Sequence, residues 1–275
     1  MEVQPPIVQY PSTGKHINQL AGEVENYARH LQQDWPDIVT PTSFPFIGTV
    51  KLRGTHADIL QDEHGRIHCQ SRDRLITPNN DHCGFAQFVA QNVDTITELF
   101  NRVSCRFVEM RLRERFPATT KMVMLSGEWL DQITQEGVAS SQLQPAFVIF
   151  GIKFFHDRWE SIQHYANIEC RETRIYNVCR AGIWHARLSV EDNGAEFEAD
   201  AMRYTGHVVD DCPLETIFGV SGQGEGLVWT PSVTSAMPNQ EKFWVVTENA
   251  NARSGNETEG DVEVEGAGMD VANPQ

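Results

Sequence analysis

The stretch Gly48-Thr-Val-Lys51-Leu-Arg-Gly54-Thr-His-Ala-Asp58 decides the reading of this chain. It lies inside a loosely alternating run from Phe44 to Leu60 that Gly54 interrupts. Alternation of apolar and polar residues marks a half-buried strand, and a glycine inside such a run marks a bend or a close backbone approach. Glu63-His64-Gly65 has turn chemistry, and Arg66–Ser71 reads as a returning strand, so the spacing predicts a hairpin. Lys51 therefore stands at a strand-to-turn junction, three residues before the glycine. Alone, a lysine so placed is a weak signal, because surface lysines beside turns are common.

Outward from this stretch, two helical stripes are legible. Ile17, Leu20, Ala21, Val24, Tyr27, Ala28 and Leu31 recur at helical spacing, and Pro36 and Pro41 end the pattern. Phe85, Phe88, Val89, Val93, Ile96, Leu99, Phe100 and Val103 form the second stripe. The chain then turns strand-rich, with short apolar runs at Met122–Leu125, Phe147–Phe154, Arg174–Val178, Gly226–Trp229 and Phe243–Val246. Few helical patterns separate them, which argues against βαβ units and for an α+β domain of antiparallel sheets. Residues 1–14 are Pro-rich and polar and are expected to form a disordered arm, with one domain over 15–247. From Glu248 to Gln275 there are seven acids and one base, with no aromatic and no period, so 248–275 reads as a disordered acidic tail.

The 275 residues are 40% hydrophobic and 22% charged, which excludes a wholly disordered chain. The net charge of −16 argues against a general nucleic-acid coat. No apolar run approaches the roughly 18 residues of a membrane helix, and the N-terminus has neither the basic start nor the apolar core of an export signal. The six cysteines show no C-x-x-C pair and no zinc-like spacing, so six free thiols in an intracellular compartment, cytoplasm or nucleus, are expected. No phosphate-loop, dinucleotide-binding or nucleophile-elbow fingerprint occurs. Trp159, His164 and Tyr165 read as core or rim packing rather than as base-stacking residues.

Five segments, in order, resemble the motifs of the covalent nucleotidyltransferases, and of their RNA ligase branch in particular. The stretch around Lys51 resembles the nucleotide-binding lysine motif. Gln70-Ser-Arg-Asp-Arg74 is similar to the short motif after the hairpin, with Arg72 at its arginine. Leu125-Ser-Gly-Glu-Trp129 resembles the G-E-W segment, with Glu128 as its acid. Phe147-Val-Ile-Phe-Gly-Ile152 resembles the strand that carries the stacking aromatic, here Phe150. Phe218–Trp229 contains Gly224-Glu-Gly-Leu-Val-Trp, similar to the E-G-x-V motif, with Glu225 as its acid. The resemblance runs from about Phe46 to Thr247. It implies a nucleotidyltransferase (ATP-grasp-like) domain of antiparallel sheets flanked by helices, with ATP and Mg²⁺ as cofactors and RNA ends as partner, and with no membrane and no zinc. It implies that Lys51 is the nucleophile that forms lysyl-AMP, that Arg72, Glu128, Phe150 and Glu225 line the nucleotide pocket, and that Glu128 and Glu225 hold the metal.

The chemistry agrees. A lysine titrates near ~10.4, so attack on a phosphate needs the amine activated by cations or desolvation. Carboxylates suit a hard metal ion, and an aromatic suits a purine. The sequence also departs from the family. The resemblance places two lysines, which bind the α-phosphate, on the last strand; the best match, Lys242-Phe-Trp-Val-Val-Thr-Glu248, puts Val245 and Thr247 there. Positions 245 and 247 share a strand face and 242 lies on the other, so Lys242 substitutes only through a bulge; Lys153 is a second possible donor. Only 28 residues follow Thr247, where RNA ligases generally add a further domain. Three readings follow: a ligase-like nucleotidyltransferase, a degenerate nucleotide- or RNA-binding module that lacks the lysine pair, or a fragment of a longer enzyme.

Overall fold

The computed structural model describes residues 5, 7–11, 17–34, 42–114, 122–131, 144–154, 159–232 and 243–248. The architecture follows from the Gly54 interruption. The run read as one broken strand is two strands, β1 (Ser43–Val50) and β2 (Thr55–Gln61), and they belong to different sheets. Residues Lys51–Gly54 are the hinge between the two layers. Gly54 is required there by close approach: a Cβ would meet the Trp129 carbonyl oxygen at 2.5 Å and the Glu128 Cγ at 2.9 Å.

The first sheet runs β11 (Val245–Glu248), β10 (Gly226–Pro231), β1, β9 (Trp184–Ser189). The second runs β4 (Leu75–Ile76), β3 (Ile67–Gln70), β2, β5 (Val123–Leu130), β6 (Ala146–Phe154), β7 (Trp159–Glu160), with β8 (Ile175–Asn177) also paired to β6. Every pairing among these is antiparallel except β6 with β8. The fold is thus α+β, antiparallel sheets flanked by helices.

The helices cover the outer faces by their apolar stripes. α1 (Ile17–Asp34) buries Leu20, Val24 and Ala28 and packs Tyr27 against Phe243. The second stripe is two helices, α2 (Phe85–Gln91) and α3 (Val93–Glu114), which break at Asn92, whose φ of −120° leaves the helical region. Phe85 packs on Trp129 and Phe147, and Phe107 stacks on Phe154 with ring centroids 3.9 Å apart, so both helices close over the second sheet. Side chains of this size contribute about 1.5–3 kcal/mol each when fully buried. α4 (Ala195–Asp210), not legible in advance, buries Phe197, Ala201, Thr205, Val208 and Val209 against β9, β10 and β11.

Two expectations are corrected at their edges. Val8 and Tyr10 do not belong to a loose arm; both pack against the second sheet. Glu248 is not tail but the last residue of β11, opposite Gly226. Residues 249–275 lie outside the described set. Gly226 has φ +149°, and a Cβ there would run into the Thr247 carbonyl. Gly226→Ala is therefore expected to destabilise the domain by about 2–4 kcal/mol, read as a drop in the denaturant midpoint at unchanged slope; an unchanged midpoint would mean that β10 and β11 do not approach this closely. No described helix is long and apolar enough to cross a membrane. All six cysteines are free thiols.

Candidate active site

Where the two sheets meet, a cavity of about 550 Å³ opens, lined by Lys51, Arg72, Glu128, Phe150 and Glu225. The structure thus brings all five sequence-derived positions to one cleft. Each arrives by a local device. Lys51 follows the last residue of β1, and its backbone N–H donates to the Gly226 carbonyl at 2.9 Å, which sets it beside the residue before β10, Glu225. Glu128 stands on β5 opposite His56 of β2. Phe150 is the extra residue of a bulge: Ser126 pairs with Gly151 and Gly127 with Ile149, leaving Phe150 without a partner on β5. A bulge re-aims a side chain, and here it turns the ring into the cleft. Arg72, on the loop after β3, is exposed at the rim.

The polar contacts form one network. Lys51 Nζ donates to Glu225 Oε2 at 2.6 Å and lies 3.2 Å from Glu248 Oε1. Arg53 Nε is 3.1 Å from Glu225 Oε1, so both oxygens of this 6% exposed carboxylate face cations. Glu128 Oε1 accepts the Gly54 N–H at 2.8 Å. His56 Nε2 is 3.2 Å from Asp58 Oδ2, which also accepts from the Gln70 amide at 2.8 Å.

These contacts set the proton affinities. Burial alone would depress the Lys51 ammonium, but Glu225 and Glu248 outweigh it and raise its pKa above the ordinary lysine value. The amine is therefore a well-held ammonium in this state, not a free nucleophile. Burial pushes the Glu128 carboxyl up to about 7, only partly opposed by His56, the Gly54 N–H and Lys51. A carboxyl whose folded pKa lies above its unfolded one contributes stability that is complete below the unfolded value and is lost as pH rises through the folded one. Relative to Glu128→Gln, the wild-type chain should lose on the order of 2–3 kcal/mol between about pH 4.5 and 7. Paired thermal melts in chelator across that range test this, and parallel curves would contradict it.

One feature of the last strand differs from expectation. Val245 and Thr247 face the core, not the cleft: Val245 is fully buried, and the Thr247 hydroxyl bonds Trp229 Nε1 at 2.9 Å and the Thr205 hydroxyl at 2.5 Å. Alternation hands the cleft to Val246, which lines it, and to Glu248, which reaches Lys51. The register read from the sequence was off by one residue, and a carboxylate stands where a lysine was sought. Lys242 lies outside the described residues. Lys153 sits over the Trp159 ring at 5.2 Å and does not line the cleft. Trp159 and Tyr165 are core residues. Glu248 and Tyr10 were missed by sequence reasoning, and Arg53, which stands at the variable position of the motif around Lys51, was given no role; for Glu248, the alternation of β11 carried the signal.

A magnesium ion takes one or two carboxylates together with substrate phosphates. Glu128 fits that use, since its second oxygen has no partner among the described residues; Glu225 is occupied by Lys51 and Arg53. No cluster of three metal-ligating side chains occurs among the described residues.

Two layers of antiparallel sheet flanked by helices, with the cleft where the sheets meet, recur in solved structures. Chains of an RNA ligase from Naegleria gruberi superpose on this one: a variant with ATP and Mn at 14% identity and TM-score 0.51, covering 90% of this chain and 59% of that one; the enzyme with PPi at 12% and 0.52, covering 92% and 59%; and a variant with AMP and Mn at 13% and 0.53, covering 91% and 59%. At such identity the likeness establishes the fold, and the chain spans about 59% of the length of these ligases. No family model matches the sequence. No curated protein matches it either.

Proposed function

We propose that the chain is an ATP-dependent, RNA ligase-like nucleotidyltransferase in which Lys51 becomes adenylylated. The observation that carries this reading is the convergence of Lys51, Arg72, Glu128, Phe150 and Glu225, spread over the sequence, on one cleft of nucleotide size. Phe150 stacks on the purine. Arg53 and Arg72 face the phosphates. The Lys51 ammonium gives one proton to solvent, its Nζ bonds to the α-phosphorus as the bond from that phosphorus to the bridging oxygen of the β-phosphate breaks, pyrophosphate leaves with the electron pair, and Nζ gives a second proton to the leaving pyrophosphate. Glu128 would hold Mg²⁺, which when bound neutralises phosphate charge. RNA ends would be the acceptors.

Glu248 favours a second reading. A carboxylate 3.2 Å from the attacking amine opposes a phosphate there and keeps the amine protonated. The second reading is a nucleotide-binding module without transfer. Incubation with α-labelled ATP and Mg²⁺ separates them. The transferase leaves label on the denatured chain. A chain that binds ATP but stays unlabelled under alkaline as well as neutral conditions replaces the enzyme by the module.

A further inference from the structure

The segment around Tyr10 has no place in the reading above, yet it is built into the cleft. Its anchor is the buried Gln70 side chain on β3. Gln70 Oε1 accepts the Val8 N–H at 3.2 Å, and Gln70 Nε2 donates to the Val8 carbonyl at 2.6 Å and to Asp58 Oδ2 at 2.8 Å. One fully buried amide thus serves the arm as a neighbouring strand would. Two residues on, the Tyr10 ring enters an aromatic cluster, with centroids 4.8 Å from Phe150, 5.1 Å from Trp159, 5.0 Å from Trp244 and 5.3 Å from His56.

Tyr10 lines the cleft, and about 550 Å³ remains open with the ring in place, so it is a wall and not a plug. Its hydroxyl makes no hydrogen bond to any described residue. The phenol is therefore a donor with no acceptor among the described residues, on a ring that lines the same cleft as Glu128. Lys51, Arg53, Glu128, Phe150 and Tyr10 line this one cleft. A nucleotide whose base stacks on Phe150, 4.8 Å from the Tyr10 ring, brings its sugar within reach of Tyr10.

We infer that Tyr10 is a nucleotide-contacting residue whose hydroxyl bonds a sugar hydroxyl, and that the arm at Val8–Pro11 is a structural wall of the nucleotide site. This rests on the nucleotide-site reading. The test is equilibrium binding of AMP, 2′-deoxy-AMP and 3′-deoxy-AMP, with Mg²⁺, to the full chain and to Tyr10→Phe, which keeps the ring. AMP cannot form the covalent adduct, so binding alone is read. Losing one hydrogen bond costs roughly 3- to 10-fold in affinity. Tyr10→Phe should weaken AMP by that factor, and the factor should fall to near one for the deoxynucleotide that lacks the bonded hydroxyl. Tyr10→Ala, checked by thermal melting, should bind AMP more weakly still. Equal loss across all three nucleotides, or no loss, overturns the contact and leaves Tyr10 as packing. Tighter binding by Tyr10→Ala overturns it in favour of a plug. A wild-type chain that binds none of the three fails the parent reading instead, a result distinct from the others.

Discussion

Replacing Lys51 by alanine is expected to abolish transfer of label from α-labelled ATP to the chain, while equilibrium binding of AMP falls by no more than about tenfold. Lys51 is the amine held in the cleft by two carboxylates, at 2.6 Å and 3.2 Å. Without it the reaction has no covalent acceptor at that position. The wild-type rate should climb with pH into the alkaline range. The sign follows from the Lys51 pKa, raised because Glu225 and Glu248 outweigh burial: at neutral pH nearly all of the amine is protonated, and each unit of pH multiplies the reactive fraction by about ten until the pKa is reached. A rate that is flat from neutral to alkaline pH would mean that nucleotide binding removes the proton by itself.

Exchanging Glu248 for lysine should raise label transfer by about 10²-fold, and Glu248→Gln by about 10-fold. An α-phosphate under attack by Lys51 Nζ lies within a few ångströms of the Glu248 carboxylate. Two unit charges about 4 Å apart interact by about 4 kcal/mol at an effective dielectric near 20, and about 1.4 kcal/mol is a factor of ten in rate. The gain stays below the full Coulomb value because Glu248 also orients the lysine. Removing Glu248 lowers the Lys51 pKa as well, which acts in the same direction. The exchange suggested by the sequence alone, Val245→Lys with Thr247→Lys, should do the reverse. It buries two ammonium groups against Trp229 and Thr205 and should cost about 3 kcal/mol or more in stability. If that pair speeds transfer in a folded chain and Glu248→Lys does not, β11 presents its other face to the cleft.

How far the sequence reached depended on whether the signal was local. The helix beginning at Ile17 was readable from its own period, and the strand at Phe147 from a continuous apolar run buried on both faces. The split at Gly54 was visible as an interruption, but not as a change of sheet, because that depends on the backbone of Trp129 pressing on Gly54 from a strand about seventy positions away. Glu225 and Phe150 were found by motif wording. Glu248 was lost because it opens an acidic composition shift, and composition masked the strand alternation that carries it to Lys51. Tyr10 was lost for a similar reason: a Pro-rich polar segment carries no period, and its anchor is the distant, buried amide of Gln70. β9 was overlooked although Trp184, Ala186 and Leu188 alternate with His185 and Arg187, since the run is only six residues long.

The most direct measurement is a peptide map of the full chain after incubation with ATP and Mg²⁺ at alkaline pH, read by mass spectrometry for a covalently bound AMP. The account predicts one AMP, on the peptide that carries Lys51, increased in Glu248→Lys and absent in Lys51→Ala. An unmodified Lys51 peptide at saturating ATP, or AMP on another lysine, would contradict it.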